Sequence, residues 1–336
     1  MSDALRAALG ELYGDANGLD SQATRYRSAL EAFVEIYGPG PASIYRAPAR
    51  VNVIGEHTDY NEGYVLPVAL AHDILLIARP RPDAEIVLHN MEAQRFGPRR
   101  FAIAACIPTG PRGDWENYLK GVAQTLRQRF GAEMHGMDAL VDGRPPWGAP
   151  MRAGLSSSSA LCVVGAVALL DVNSWSMPRP ELAHLCSEAE WYVGTRGGIM
   201  DQFISLMGRR GHALFLDCRP DSSLPGKFRT AWAPLPAGYA FLICDSGVRR
   251  ENTRSAFNAR VAECKIGVRL LQRRYPQATR LRDISCDALG LTPAEVDALL
   301  EEELPAEADV AELTRLGVPA DFLAELLRDH SLPAEQ

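Results

Sequence analysis

The first stretch with chemical promise is Gly154-Leu155-Ser156-Ser157-Ser158-Ser159-Ala160, followed by an apolar run from Leu161 to Leu170. A loop of glycine and serine that feeds a buried helix presents unpaired backbone N–H groups and the positive end of the helix dipole. Together these form an anion site suited to phosphate. The serine hydroxyls add donors, and one hydroxyl can ligate a hard cation. A plain N-cap in a serine-rich turn is the simpler reading of the same residues. The second stretch is Glu56-His57-Thr58-Asp59-Tyr60-Asn61-Glu62-Gly63. Glu56, His57 and Asp59 combine acceptors with an amphoteric imidazole, which suits sugar hydroxyls because these both donate and accept. Taken singly, His57 reads as a structural histidine and the two acids as solvated loop charges. Zinc would want His or Cys ligands at recurring spacing, and no second such cluster occurs. Asp201 follows a glycine-rich turn at Gly197-Gly198, where an acid is either a capping residue or a general base. Trp115 opens a helical segment and either lines a base pocket or packs in the core.

The elements that must position these groups follow from periodicity. Apolar spacing predicts helices over 3–13 and 21–37, stopped by Gly38-Pro39-Gly40-Pro41. Alternation predicts strands on either side of Pro48 within 43–55, then strands at 65–71, 74–78, 85–89, 98–104 and 137–141. Further helices are expected from Asp114 to about Phe130, behind the serine loop, at 179–193 and at 255–274. Strands are expected at 212–218 and 239–245, with an acidic helical tail from Leu281 onward. The chain has 336 residues, 47% hydrophobic and 23% charged, and a net charge of −7. That length suggests about two domains, and the negative charge argues against a nucleic-acid partner. Seven dispersed cysteines point to reduced thiols in a cytoplasm. No signal peptide and no membrane-length apolar run is visible.

Three segments together resemble a known family. Arg46 to Gly63 resembles the signature of galactokinases. Gly154 to Ala160 resembles the second motif of the GHMP small-molecule kinases, to which galactokinases belong. Gly197-Gly198-Ile199-Met200-Asp201-Gln202 resembles that family's catalytic-aspartate segment. A P-loop is excluded, because no Lys follows the serines and no Gly-x-x-x-x-Gly-Lys-[Ser/Thr] occurs.

The resemblance implies ATP-dependent phosphorylation of the anomeric hydroxyl of galactose, with Mg²⁺ as the metal. It implies a two-domain α+β fold. The N-terminal domain would span 1–205 with the sugar and phosphate motifs, and an incomplete C-terminal domain would span 206–336. Asp201 matches the base and Arg50 the cation beside it. Glu56, His57, Asp59 and Gly198 match sugar contacts, and Ser158 and Glu190 the magnesium ligands. Arg152, Ala153, Gly154, Leu155, Ser156, Ser157 and Ser158, with Trp115, would face ATP. The sequence also departs from the family pattern. Met151-Arg152-Ala153 replaces a run of glycines, so Arg152 either touches phosphate or faces solvent. Gly197 and Phe257 stand where galactokinases often have Cys and a sugar-contacting Tyr. These positions are closer to the N-acetylgalactosamine kinase branch. Nothing after residue 270 resembles the family's third glycine-rich motif. The competing readings are an N-acetylgalactosamine kinase and a silent galactose sensor acting through a protein partner.

Overall fold

The computed structural model describes residues 3–14, 18–131, 133–150, 154–194, 197–224, 227–244 and 256–332. Helices α1 (Asp3–Tyr13) and α2 (Leu19–Tyr37) lead into β1 (Ser43–Asn52), β2 (Tyr64–Val65), β3 (Pro67–Pro80), β4 (Glu85–Asn90) and β5 (Arg99–Ala102). Helix α3 (Glu116–Phe130) and strand β6 (Met137–Asp142) follow. Next come α4 (Ser157–Val172), α5 (Arg179–Trp191), α6 (Met200–Met207), β7 (His212–Asp217) and β8 (Arg229–Pro234). The remaining helices are α7 (Ala256–Leu271), α8 (Cys286–Leu289), α9 (Pro293–Glu303), α10 (Val310–Arg315) and α11 (Ala320–Asp329). The content is mixed, with helices and two sheets, as the α+β expectation requires.

One sheet has the strand order β1-β3-β6-β4-β5 and a second has β2-β7-β8. Strand β3 explains the layering. Its Leu75 packs with Leu9 and Tyr26, and its Ile77 with Ala29 and Phe33, so one face meets α1 and α2. The alternate residues Ile74, Leu76 and Ala78 join the large core with Leu119 of α3, Val163 of α4 and Leu185 of α5. A strand covered on both faces reads as a continuous apolar run, and 65–71 with 74–78 is such a run. Residues 67–80 accordingly form the one strand β3, with Asp73 inside it, while Val65 belongs to β2 of the second sheet. Helix α4 is apolar all round because it is buried all round, with Cys162, Val164, Ala166 and Leu169 fully enclosed.

Two further expectations are corrected, and one strand was not expected. Strand β1 passes through Pro48 without ending, and its register shifts between Pro48 and Arg50. It lies at the sheet edge, where a residue without an N–H is tolerated at a bulge. The strand expected at 239–245 does not form over its described part: residues 239–244 have no regular structure, and Tyr239 and Leu242 are exposed. Strand β8 was not foreseen, being a short, largely exposed edge strand.

Candidate active site

The site assembles where the register shift in β1 meets the starts of α4 and α6. Just past the shift, Arg50 N–H donates to Leu155 O at 3.3 Å, and Arg50 Nη1 donates to Gly154 O at 2.9 Å. The arginine thus holds the serine loop by its backbone. Its other face grips Asp201, with Nε to Oδ1 at 2.6 Å and Nη2 to Oδ2 at 3.0 Å. Such a fork-to-carboxylate pair is strong and directional. Burial opposes the Arg50 charge, but the Asp201 carboxylate outweighs it and pushes the guanidinium pKa up.

Asp201 is not the capping residue of α6. Ile199 holds that position and Asp201 lies in the first turn, where the helix dipole favours a carboxylate. Ser156 Oγ donates a short hydrogen bond to Asp201 Oδ2. Ser156 sits at the N-cap of α4 in the left-handed region, φ 57°, and its side chain does not cap the helix. A non-glycine residue held there costs on the order of 1 kcal/mol and persists only where neighbours impose it. Here the Asp201 bond imposes it. The hydroxyl is diverted from capping, so the first N–H groups of α4 have no side-chain partner from Ser156. A Cβ on Gly154, at φ 77°, would meet no atom of the described residues within 4 Å. Ser157 is buried and Ser158 partly so. Arg152 and Ala153 lie outside the described residues.

The polar turn 56–63 stands on the other side of Asp201. Asp59 begins a 3-10 turn, Asp59–Asn61, and Met200 N–H reaches its Oδ2 at 3.5 Å. Burial, with the Asp201 charge adding to it, pushes the Asp59 pKa up to about 6. A Cβ on Gly198 would lie 2.0 Å from Asp59 Oδ2, so glycine is required for this approach. Glu56 and His57 are exposed. His57 Nδ1 and Tyr60 OH are 2.6 Å apart, and Phe257 of α7 packs against both rings at 5.4 and 5.7 Å.

Glu190, at the end of α5, is 7% exposed. Its hydrogen-bond partners among the described residues are neutral: Gln202 Nε2 at 2.7 Å and the Ser159 hydroxyl. Burial pushes its pKa up to about 7. The other amide atom of that glutamine, Oε1, is buried with no hydrogen-bond partner among the described residues. This acceptor-rich, cation-poor corner fits a hard divalent ion. No Ser158–Glu190 hydrogen bond occurs; the adjacent Ser159 bonds Glu190 instead.

Trp115 is corrected to a core residue. It is 4% exposed, its indole N–H donates to Gly97 O at 3.2 Å, and Phe96 packs edge-on against it. Ser156, expected to face ATP, bonds Asp201, and Ser159, Gln202 and Tyr60 have contacts that motif spacing alone did not assign. Adjacency was their one signal, since each neighbours a residue picked on type.

Two family models match the chain: the galactokinase galactose-binding signature over residues 31–80, and the GHMP kinases N-terminal domain over residues 117–209. The chain is 41% identical over 279 residues to a galactokinase of Roseiflexus sp. (strain RS-1), covering 83% of this chain and 66% of that protein. It is 38% identical over 274 residues to a galactokinase of Chloroflexus aggregans, covering 81% of this chain and 65% of that one. In both cases the match spans just under two-thirds of the relative's own length. The fold superimposes on the crystal structure of Lactococcus lactis galactokinase complexed with galactose with a TM-score of 0.69 at 26% identity. That superposition covers 91% of this chain and 75% of the other. Among the described residues no helix is long and apolar enough to cross a membrane.

Proposed function

Because the chain belongs to the galactokinase group of the GHMP kinase family, we propose that it transfers the terminal phosphoryl group of ATP to the anomeric hydroxyl of galactose. The observation that carries this reading is the placement of Asp201. One carboxylate is held by Arg50, touched by Ser156 of the serine loop, and set beside Asp59 of the polar turn.

Phosphoryl transfer asks a protein for positioning and charge neutralisation more than for covalent chemistry. Glu56, His57, Asp59 and the backbone at Gly198 bind the sugar hydroxyls. The first turn of α4, with Gly154 and Leu155 before it, receives the phosphates. Asp201 accepts the proton of the attacking hydroxyl as its oxygen bonds to the terminal phosphorus and the bond to ADP breaks. Arg50 keeps the base oriented and steadies negative charge near the transferred group. Ser158 and Glu190 would hold Mg²⁺. When bound, that ion neutralises triphosphate charge. The buried, neutral-partnered Glu190 and the orphaned Gln202 Oε1 support a cation there.

The test is a coupled assay of ADP release with the purified chain, ATP and Mg²⁺. Galactose and N-acetylgalactosamine are compared by kcat/KM, which measures transition-state discrimination. Galactose-dependent ADP release is expected. Its absence, with folding shown by circular dichroism, refutes the reading.

A further inference from the structure

The far end of the polar turn is held by a charged lattice that the proposed reaction does not use. At its centre is Arg282, in the 3-10 turn Leu281–Asp283. Its Nη1 donates to Glu62 O at 2.7 Å and to the Asp217 carboxylate. Its Nη2 donates to the Tyr64 hydroxyl at 2.6 Å and to Asp217 Oδ2 at 3.1 Å. The guanidinium also stacks 4.3 Å from the Tyr64 ring centre. The Glu62 side chain is pinned as well, by Arg219 Nε at 3.1 Å and Arg280 Nε at 3.2 Å. Arg219 is tied in turn to Asp283 at 2.6 Å.

These contacts converge on a strained residue. Glu62 lies in the left-handed region at φ 58°, and its N–H donates to Asp59 O at 3.1 Å. Left-handed backbone at a non-glycine residue persists where the surroundings over-determine it. Three arginines bonded to one glutamate, at its carbonyl and both carboxylate oxygens, do so. The strain is therefore held on the segment that carries His57 and Asp59, from outside that segment. Arg282 is 21% and Asp217 16% exposed at the side chain, so solvent screens this pair less than a surface pair.

We propose that Arg282 is a positioning residue for the sugar turn: by anchoring Glu62 and Tyr64 it presets the geometry of His57 and Asp59 for the sugar hydroxyls. The inference rests on the reading of residues 56–63 as the sugar-binding turn. A preset turn raises affinity by removing an ordering cost on binding. Arg282 touches no reacting atom, and its loss acts on sugar binding and not on the phosphoryl step.

Two measurements test it. In Arg282→Ala, KM for galactose rises about tenfold or more, while kcat and KM for ATP stay within about threefold of the parent. Arg282→Lys keeps the charge but loses the fork, and gives an intermediate rise. Equal shifts in the galactose and ATP constants, or no shift in either, overturn the proposal. The second measurement is hydrogen exchange without substrate. Amides 58 and 61–64 exchange faster in Arg282→Ala, or in Arg282→Lys where the alanine variant does not fold, with β1 unchanged. Unaltered exchange in the turn overturns the positioning role whatever the assay shows. A parent chain that phosphorylates no sugar sinks the functional reading instead, and exchange still decides the role of Arg282.

Discussion

Gly198 and Asp59 are packed so closely that a Cβ on the glycine would fall 2.0 Å from Asp59 Oδ2. That carboxylate is also approached by Met200 N–H at 3.5 Å. Two motifs 139 residues apart in sequence thus meet at one oxygen. Gly198→Ala has to push Asp59 away, and with it the polar turn. KM for galactose is expected to rise about tenfold or more, with KM for ATP changed far less. Steady-state kinetics with each substrate varied in turn checks this, and unchanged galactose kinetics would remove the turn from sugar binding.

Asp201→Asn keeps the shape of the side chain and one acceptor oxygen, but it loses one of the two Arg50 contacts and removes the proton acceptor. A positioned general base contributes roughly 10²–10⁴-fold, so kcat should fall within that range while both KM values move little. A change under about threefold excludes Asp201 as the base. Arg50→Lys keeps the charge but cannot make the two-pronged contact at 2.6 and 3.0 Å or reach Gly154 O in the same pose. It too should lower kcat, by about tenfold or more, with the protein still folded.

Burial pushes the Glu190 pKa up to about 7. The folded state therefore binds this proton more tightly than the unfolded chain. Glu190's contribution to stability is complete below its unfolded pKa and is lost as pH rises through about 7. Without metal, Tm is expected to decline between pH 5 and pH 8. Glu190→Gln should flatten that decline and raise stability at pH 8 by roughly 1–3 kcal/mol. Mg²⁺ with ATP should raise the parent's Tm at pH 8 and leave the variant's nearly unmoved. Ser158→Ala should raise the Mg²⁺ concentration for half-maximal activity. Thermal melts across pH, with and without the metal nucleotide, decide the first three points, and a metal titration decides the last.

Motifs and buried elements were the legible part of this chain. The polar turn and the serine loop stood out because their residue types are unusual in ordinary loops, and α4 because a helix enclosed on all sides has no polar face to blur its pattern. Pairing was illegible. The run 239–245 has the composition of a strand, but a strand's hydrogen bonds come from another strand, and none of the described strands pairs with 239–244. Strand β8 has the opposite problem: Thr230 and Trp232 are half-buried, but Ala231 and Ala233 on the exposed face are apolar too and hide the alternation, yet Ala231 pairs with Phe215 and Ala233 with Ala213. Within the site, residue type raised Asp59 and Asp201, and the family resemblance added Arg50. The diversion of Ser156 from capping to Asp201, and the bond of Ser159 to Glu190, depend on backbone angles and helix rotation that no spacing rule conveys.

Asp73 interrupts the apolar run of β3, and the structure shows why an acid is tolerated there. It is fully buried, yet it accepts from Arg25 Nη1 at 2.7 Å, Arg46 Nε at 2.6 Å and Tyr13 OH at 2.5 Å. Arg25 also donates to Asp142 O at 2.8 Å, which ties α2 to β6. Burial, with Asp73 beside it, pushes the Tyr13 pKa up, so the phenol remains a donor. One carboxylate thus fastens α1, α2 and β1 to β3. Removing it leaves Arg25 with its longer ion pair to Asp142 at 3.5 Å and takes the carboxylate from the partly buried Arg46, where losing one partner of a buried pair costs up to about 3–5 kcal/mol. Asp73→Asn should lower the urea midpoint by a corresponding amount with an unchanged slope. Among the molecules that remain folded, Asp201 stays paired with Arg50, so kcat per folded molecule should match the parent. A loss below about 1 kcal/mol would mean that the helices α1 and α2 are held by Leu75 and Ile77 alone.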